Sequence, residues 1–371
     1  MESKSNTCVI VLAAGFATRL RPFSNKIPKP LIDINGKTLL SRIISNFKEA
    51  GFNRFCFVLG YKKEFLIKEI LKEKDIETIL VKQKEPTGMA DAIALTFKKI
   101  LRKYRDITDF FITAADIIVS KAELWKMYKL YEYCDIVLSL MKSNELEIAR
   151  SHGNVKLDRD SDLSKDVDAN QGLKIIDIIE KPKPHQIMSM YYSLPLYLTN
   201  KKIMQFMENL EISERGEKEF QDVLKNAFLN NLDIRGIRIV SPLITTDNIG
   251  KFHLTSLRDI IKMNKRFLTG LNLSPFEGKK PNCLEPLKIG NQNLIGDNVT
   301  LGPHVIIGNS CNLGDFSQLT NSILYNNITL GKSCVLDWCI IDDGVTLPDK
   351  LKASDCFIKK DNEKDFEIIN F

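Results

Sequence analysis

The chain has 371 residues, 44% hydrophobic and 27% charged, with a formal net charge of +6. That length suits one large domain and a smaller one. No apolar run reaches the roughly 18 residues of a membrane span, and the polar start at residues 1–6 does not fit a secretory signal.

The lysines are spread along helical stretches, with no basic block interleaved with aromatic residues. This favours anionic small molecules over nucleic acid as partners. The eight cysteines form no CxxC pair. Cys8, Cys56 and Cys134 sit in apolar runs and read as buried free thiols, the usage of a reduced, cytoplasmic protein. The four histidines show no zinc-ligand spacing.

In chain order, apolar runs predict strands at 8–14, 54–59, 77–81, 109–114 and 135–141. Amphipathic stretches between them predict helices at 39–50, 62–72, 89–104 and 121–133. That alternation implies an α/β fold, a doubly wound, mostly parallel sheet covered on both faces. The rhythm changes near residue 145. Strands are expected at 154–157, 174–179, 191–198 and 234–240, helices at 201–207, 219–228 and 254–266, and a polar, acidic loop or hairpin tip at 158–170.

A catalytic domain is therefore expected over 1–267, and a linker rich in proline, glycine and serine over 268–285. A six-residue period follows. Ile289, Ile295, Leu301, Ile307, Leu313 and Leu319 are evenly spaced, and glycine follows the first five. The phase slips near 321–324 and resumes at Leu330. Each hexapeptide can form one flat face of a three-sided coil with its aliphatic residue inside. Roughly three coils of a left-handed parallel β-helix are expected over 286–352, with glycine easing the corners, and a polar tail over 353–371.

The first strand runs directly into Leu12-Ala-Ala-Gly-Phe-Ala-Thr-Arg-Leu-Arg-Pro22. Small residues there let backbone N–H groups of Leu12, Ala13, Ala14, Gly15 and Thr18 approach a triphosphate. Arg19 can add a bidentate contact. Lys29, held between Pro28 and Pro30, can return to the same phosphates. Neither the dinucleotide fingerprint nor a P-loop is present.

This stretch, with Pro28-Lys29-Pro30-Leu31, resembles the signature of the sugar-1-phosphate nucleotidylyltransferases. The likeness extends through Gln83…Glu85-Pro-Thr-Gly88, Glu180-Lys181-Pro182, Gly216–Val223, Asp247…Gly250 and the hexapeptide repeat. It implies transfer of a nucleotidyl group from a nucleoside triphosphate to a sugar 1-phosphate, with release of pyrophosphate. It also implies Mg2+ held by Asp116 and Asp247, and Gln83 and Gly88 at the base. Gly153, Glu180 and Lys181 are implied at the sugar phosphate, and Arg19 and Lys29 at the departing pyrophosphate. Oligomerisation is expected through the repeat domain.

Three departures from the family pattern stand out: Ala17 and Ala115, where glycine is usual, and Pro195 beside the sugar-side strand. Asp91 follows Gly88 where relatives often carry a neutral residue, and it also reads as the first-turn acid of a helix. UTP or dTTP with glucose 1-phosphate is the first expectation. GTP with mannose 1-phosphate, CTP, a non-catalytic regulatory paralogue and a bifunctional enzyme with acetyltransferase activity remain open. For acyl transfer, His304 is the only histidine in the repeats.

Overall fold

The computed structural model describes residues 6–85, 87–158, 172–239, 254, 256–361 and 363–371. The expected loop at 158–170 lies outside them apart from Asp158. Two compact units emerge. One holds the described residues of Met1–Thr18, Ser24–Ile32 and Thr38–His253; the other holds those of Arg19–Phe23, Asp33–Lys37 and Leu254–Phe371.

The first unit is built on nine strands. They are β1 (Thr7–Ala13), β2 (Arg54–Leu59), β3 (Glu77–Lys82), β4 (Asp109–Ala114), β5 (Ile136–Lys142), β6 (Gly153–Leu157), β7 (Leu173–Glu180), β8 (Tyr191–Asn200) and β9 (Ile234–Arg238). Their order is β3-β2-β1-β4-β8-β5-β9-β7-β6. The helices of this unit are α1 (Leu39–Glu49), α2 (Lys63–Ile70), α3 (Met89–Lys103), α4 (Lys121–Tyr131), α5 (Leu146–Arg150) and α6 (Phe220–Leu229).

Alternation along the strands separates two cores. Cys8, Ile10, Cys56, Val58, Phe110 and Ile112 pack with Ile93, Phe97 and Ile100 of α3. On the opposite parity, Phe55 and Phe111 meet Phe47 of α1 edge to face.

The sheet is more mixed than the sequence suggests. β1, β2, β3 and β4 are parallel neighbours, as are β5 and β9, but β8 runs antiparallel to β4, β5 and β6, and β7 runs antiparallel to β6 and β9. The reason is that regular helical crossovers stop after β5. β8 carries Pro195 inside a register shift between Ser193 and Tyr197. A bulge tolerates the missing proline donor.

The second unit is a prism of parallel strands. Ile289, Ile307, Leu324, Ile341 and Ile358 stack in one buried column. Ile295, Leu313, Leu330 and Leu347 form another. The repeat is 18 residues from the Cys283–Leu301 pairing through the Leu301–Leu319 pairing and 17 from the Ile307–Leu324 pairing onward. That one-residue deletion is the phase slip visible in the sequence.

Three expectations need correction here. The segment 268–285 is not a linker, because Leu271–Leu273, Phe276–Gly278 and Asn282–Cys283 pair in parallel with the coil above. Gly278 stands opposite Ile295, in a slot that later coils fill with an aliphatic side chain, so the six-residue pattern is hidden there. One face holds five strands, more than the three coils expected. The residues beyond 352 also continue the prism: Lys352–Lys360 pairs in parallel below Val335–Ile341 and then antiparallel with Phe366–Asn370.

The catalytic boundary at 267 shifts as well. Helix α7 (Leu257–Phe267) belongs to the second unit. Its Asn264 Oδ1 accepts from Asn35 N–H at 2.7 Å, and Lys265 Nζ donates to Asn321 at 3.0 Å.

The repeat glycines have a different role from the one expected. Left-handed corners are carried by Gln292, Asn298, His304, Ser310 and Phe316, and of the glycines two residues earlier only Gly302 also has positive φ, at +102°. A Cβ on Gly308 would lie 2.4 Å from the carbonyl oxygen of Tyr325, so these glycines admit the next coil's backbone.

Candidate active site

The register of the first unit gathers several expected residues at one edge. Ala13 pairs with Leu59, Leu59 with Lys82, and Leu12 with Ala114. The loop after β1, Gln83 after β3 and Asp116 after β4 therefore leave the carboxyl ends of neighbouring strands. In open α/β sheets this is where ligands bind.

A cavity of about 210 Å³ lies there, lined by Leu12, Ala13, Gly15, Ala17, Lys29, Pro30, Ala115 and Asp116. Its walls are made locally. Ala115 N–H donates to Leu12 C=O at 3.0 Å, which turns the chain so that Asp116 faces the loop. Pro28 presets extended backbone (φ −62°, ψ 142°) before the short turn Lys29–Leu31. Lys29 Nζ then pairs with the Asp116 carboxylate. A Cβ on Gly15 would meet nothing within 4 Å, so the loop leaves that space open. Ala17 sits at φ +50°, where its missing glycine is felt as strain.

Other expected residues lie outside this cavity's lining. Thr18 and Arg19 are exposed on the turn Thr18–Leu20, and Arg19 falls in the second unit. Ala14 abuts Gly60, where a Cβ would come 2.7 Å from its carbonyl oxygen. Asp247 and Gly250 lie outside the described residues.

Gln83 is buried, and its Nε2 reaches Gly88 C=O at 3.5 Å. Gly88 has φ +114°, and a Cβ there would lie 2.4 Å from Lys218 C=O.

Gly153, Glu180 and Lys181 converge through strand pairing, with Gly153 opposite Glu180. Lys181 N–H donates to His152 C=O at 3.1 Å. A Cβ on Gly153 would lie 2.6 Å from Ser193 Oγ and 2.9 Å from Gln221 Nε2. Glu180 Oε1 has Lys181 Nζ and Arg215 Nη1 each at 3.7 Å. Burial pushes the Glu180 carboxyl up to about 7, opposed by Lys181, reinforced by Glu219, opposed by Arg215 and reinforced by Glu217.

Sequence reasoning assigned no role to Arg215 or Glu219, which are joined at 2.9 Å. The dense alternation of charge at 214–219 was the signal available for them.

The sequence profile described as Nucleotidyl transferase matches residues 8–234. The chain belongs to that family. A second profile, Bacterial transferase hexapeptide (six repeats), matches residues 286–321 of this nucleotidyl transferase.

Among its relatives is the bifunctional protein GlmU of Methanococcus maripaludis, 28% identical over 74% of this chain and 57% of the relative. The chain thus spans little more than half the length of that protein. The mannose-1-phosphate guanyltransferase of Schizosaccharomyces pombe is 25% identical over 81% of this chain and 73% of its own. In fold, the chain resembles a UDP-glucose pyrophosphorylase solved with UDP-glucose, with TM-score 0.53 and 20% identity over 62% of this chain and 90% of that one. Among the described residues of the nucleotidyl transferase, no helix is long and apolar enough to cross a membrane.

Proposed function

We propose that this chain transfers a nucleotidyl group from a nucleoside triphosphate to a sugar 1-phosphate and releases pyrophosphate. One observation carries the reading. Lys29 and Asp116 form a charge pair on the wall of a cavity whose Gly15 leaves room for a ligand.

The sugar phosphate oxygen attacks the α-phosphorus, and the bond to the bridging oxygen of pyrophosphate breaks. The nucleophile is already ionised, so no general base is needed. The protein aligns the reactants and offsets their charge. In this reading the amides of the loop from Leu12 through Thr18 hold the triphosphate, and Lys29 and Arg19 offset charge on the leaving group. Lys181 holds the sugar phosphate, Gly153 and Glu180 meet the sugar, and Gln83 and Gly88 meet the base.

The Asp116 carboxylate fits a hard cation such as Mg2+, with Asp247 as the expected second ligand. Among the described residues no three metal-binding side chains cluster, so most of the shell would be phosphate oxygens and water. When bound, the ion supplies charge stabilisation at the α-phosphate.

UTP or dTTP with glucose 1-phosphate is the substrate pair proposed. GTP with mannose 1-phosphate is the second reading, favoured by the S. pombe guanyltransferase that matches 81% of this chain. Supported by the repeat profile and the three-sided coil, the second unit is read as a left-handed β-helix that joins copies of the chain. Pyrophosphate release, measured with magnesium across four nucleotides and several sugar 1-phosphates, tests the reaction and its specificity together. Thiol release from acetyl-CoA in the same matrix tests a second activity at the repeat unit. Absence of pyrophosphate release for every pair would overturn the assignment.

A further inference from the structure

The loop at 213–219 touches both ends of the proposed site. At the sugar end, Arg215 Nη1 donates to Glu219 at 2.9 Å and lies 3.7 Å from Glu180. Ser213 Oγ donates to the same Glu219 oxygen at 3.0 Å. At the nucleotide end, the backbone of Lys218 is woven into the Gly88 turn. Its N–H donates to Thr87 C=O at 2.9 Å, and its C=O accepts from Ala90 N–H at 3.2 Å. The missing side chain of Gly88 makes that approach possible, since a Cβ would lie 2.5 Å from Lys218 N. Lys218 Nζ then meets the Asp91 carboxylate at 3.4 Å, in the first turn of α3. Asp91 therefore has a partner beyond the helix dipole, and that partner sits on the loop that shapes the sugar end.

We propose that Asp91 and Lys218 are positioning residues that fasten the 213–219 loop to the Gly88 turn, so that filling the nucleotide end orders the sugar-phosphate end. The naming of the two ends rests on the function proposed above. The pair itself is about one-third exposed, and such pairs contribute modestly. Its leverage comes from the two backbone hydrogen bonds it keeps in register.

Steady-state kinetics of Asp91→Asn, Lys218→Gln, the double variant and the exchanged pair Asp91→Lys/Lys218→Asp form the first test. Each single change should raise KM for both substrates about three- to five-fold, with kcat within about two-fold, as for loss of one such pair. The double variant should be no worse than either single, and the exchange should recover most of the loss. A change confined to one substrate, or additive losses, would overturn the proposal.

The second test needs no turnover. In the ligand-free protein, the amides of Lys218 and Ala90 should exchange hydrogen faster in Asp91→Asn than in wild type. Unchanged exchange would also overturn the fastening. If the wild-type chain released no pyrophosphate with any nucleotide, the reaction reading would fail while this exchange measurement still decided the role of the pair.

Discussion

Lys29 and Asp116, 87 residues apart in sequence, meet as an ion pair on one cavity wall. Each side chain keeps less than a fifth of its surface exposed. The group proposed to meet pyrophosphate thus neutralises the group proposed to hold the cation. Substrate with its metal would exchange this pair for new ones. Lys29→Ala and Asp116→Asn should each lower kcat/KM for pyrophosphate release by about 100- to 1,000-fold, the effect of losing one oriented charge contact. Normal turnover in either variant would remove the cavity from the mechanism.

Ala17 turns the loop after β1 at φ +50°, in a region that favours glycine. Left-handed backbone costs a residue with a Cβ about 1–2 kcal/mol, while glycine brings about 0.5–1 kcal/mol of extra chain entropy to the unfolded state. Ala17→Gly should therefore stabilise the protein by up to about 1 kcal/mol, read as a raised urea midpoint at unchanged slope. A lower midpoint would show that the methyl group contributes packing that outweighs the strain.

Much of this was legible in the sequence, for particular physical reasons. β1 through α4 fell close to their expected bounds because the apolar period alternates cleanly between strand and helix. Lys29 between two prolines pointed to a stiff, returning segment, and the structure gives it as Lys29–Leu31. The repeat columns were visible wherever the inward residue is aliphatic, and were lost where Gly278 takes the slot. The antiparallel half of the sheet was not legible, since strand direction depends on pairings between distant segments. Nor was the pairing of Arg215 with Glu180 and Glu219, because a run of alternating charge looks the same on a solvated surface as in a built cluster. The left-handed corners were misplaced by two residues because close backbone approach and positive φ both call for glycine.

Glu180 should make both stability and the sugar end depend on pH. Burial raises its carboxyl from an ordinary 4.5 to about 7. Between those values the folded state holds a proton that the unfolded state has lost. The associated stability is complete below about pH 4.5 and disappears as pH rises through 7, worth at most about 3 kcal/mol. Glu180→Gln should flatten that slope in denaturation curves taken from pH 5 to 8. For catalysis the sign reverses. An ionised Glu180 would accept hydrogen bonds from the sugar hydroxyls proposed to meet it, so KM for the sugar phosphate should fall as pH passes 7 in wild type. The same titration in Glu180→Gln separates this effect from ionisation of the substrate. Parallel pH profiles for the two proteins would show that Glu180 does not titrate in this range.

The repeat unit offers a contrast between neighbouring positions. Gly308 has no room for a side chain, since its Cβ would come 2.4 Å from the Tyr325 carbonyl oxygen. Ser310, two residues on, carries the corner at φ +56°. Between them, Asn309 Oδ1 accepts from Asn291 N–H at 2.8 Å, a rung between coils. Gly308→Ala should cost about 1–3 kcal/mol because the clash is with backbone and the coil spacing cannot yield. Asn309→Ala should cost about 1 kcal/mol for the lost rung. Ser310→Gly should be neutral or slightly stabilising, since relief of left-handed strain offsets the added chain entropy. Urea denaturation of the three variants orders them directly. If Ser310→Gly proved the most damaging, the assignment of glycines to stacking and of polar residues to corners would be reversed.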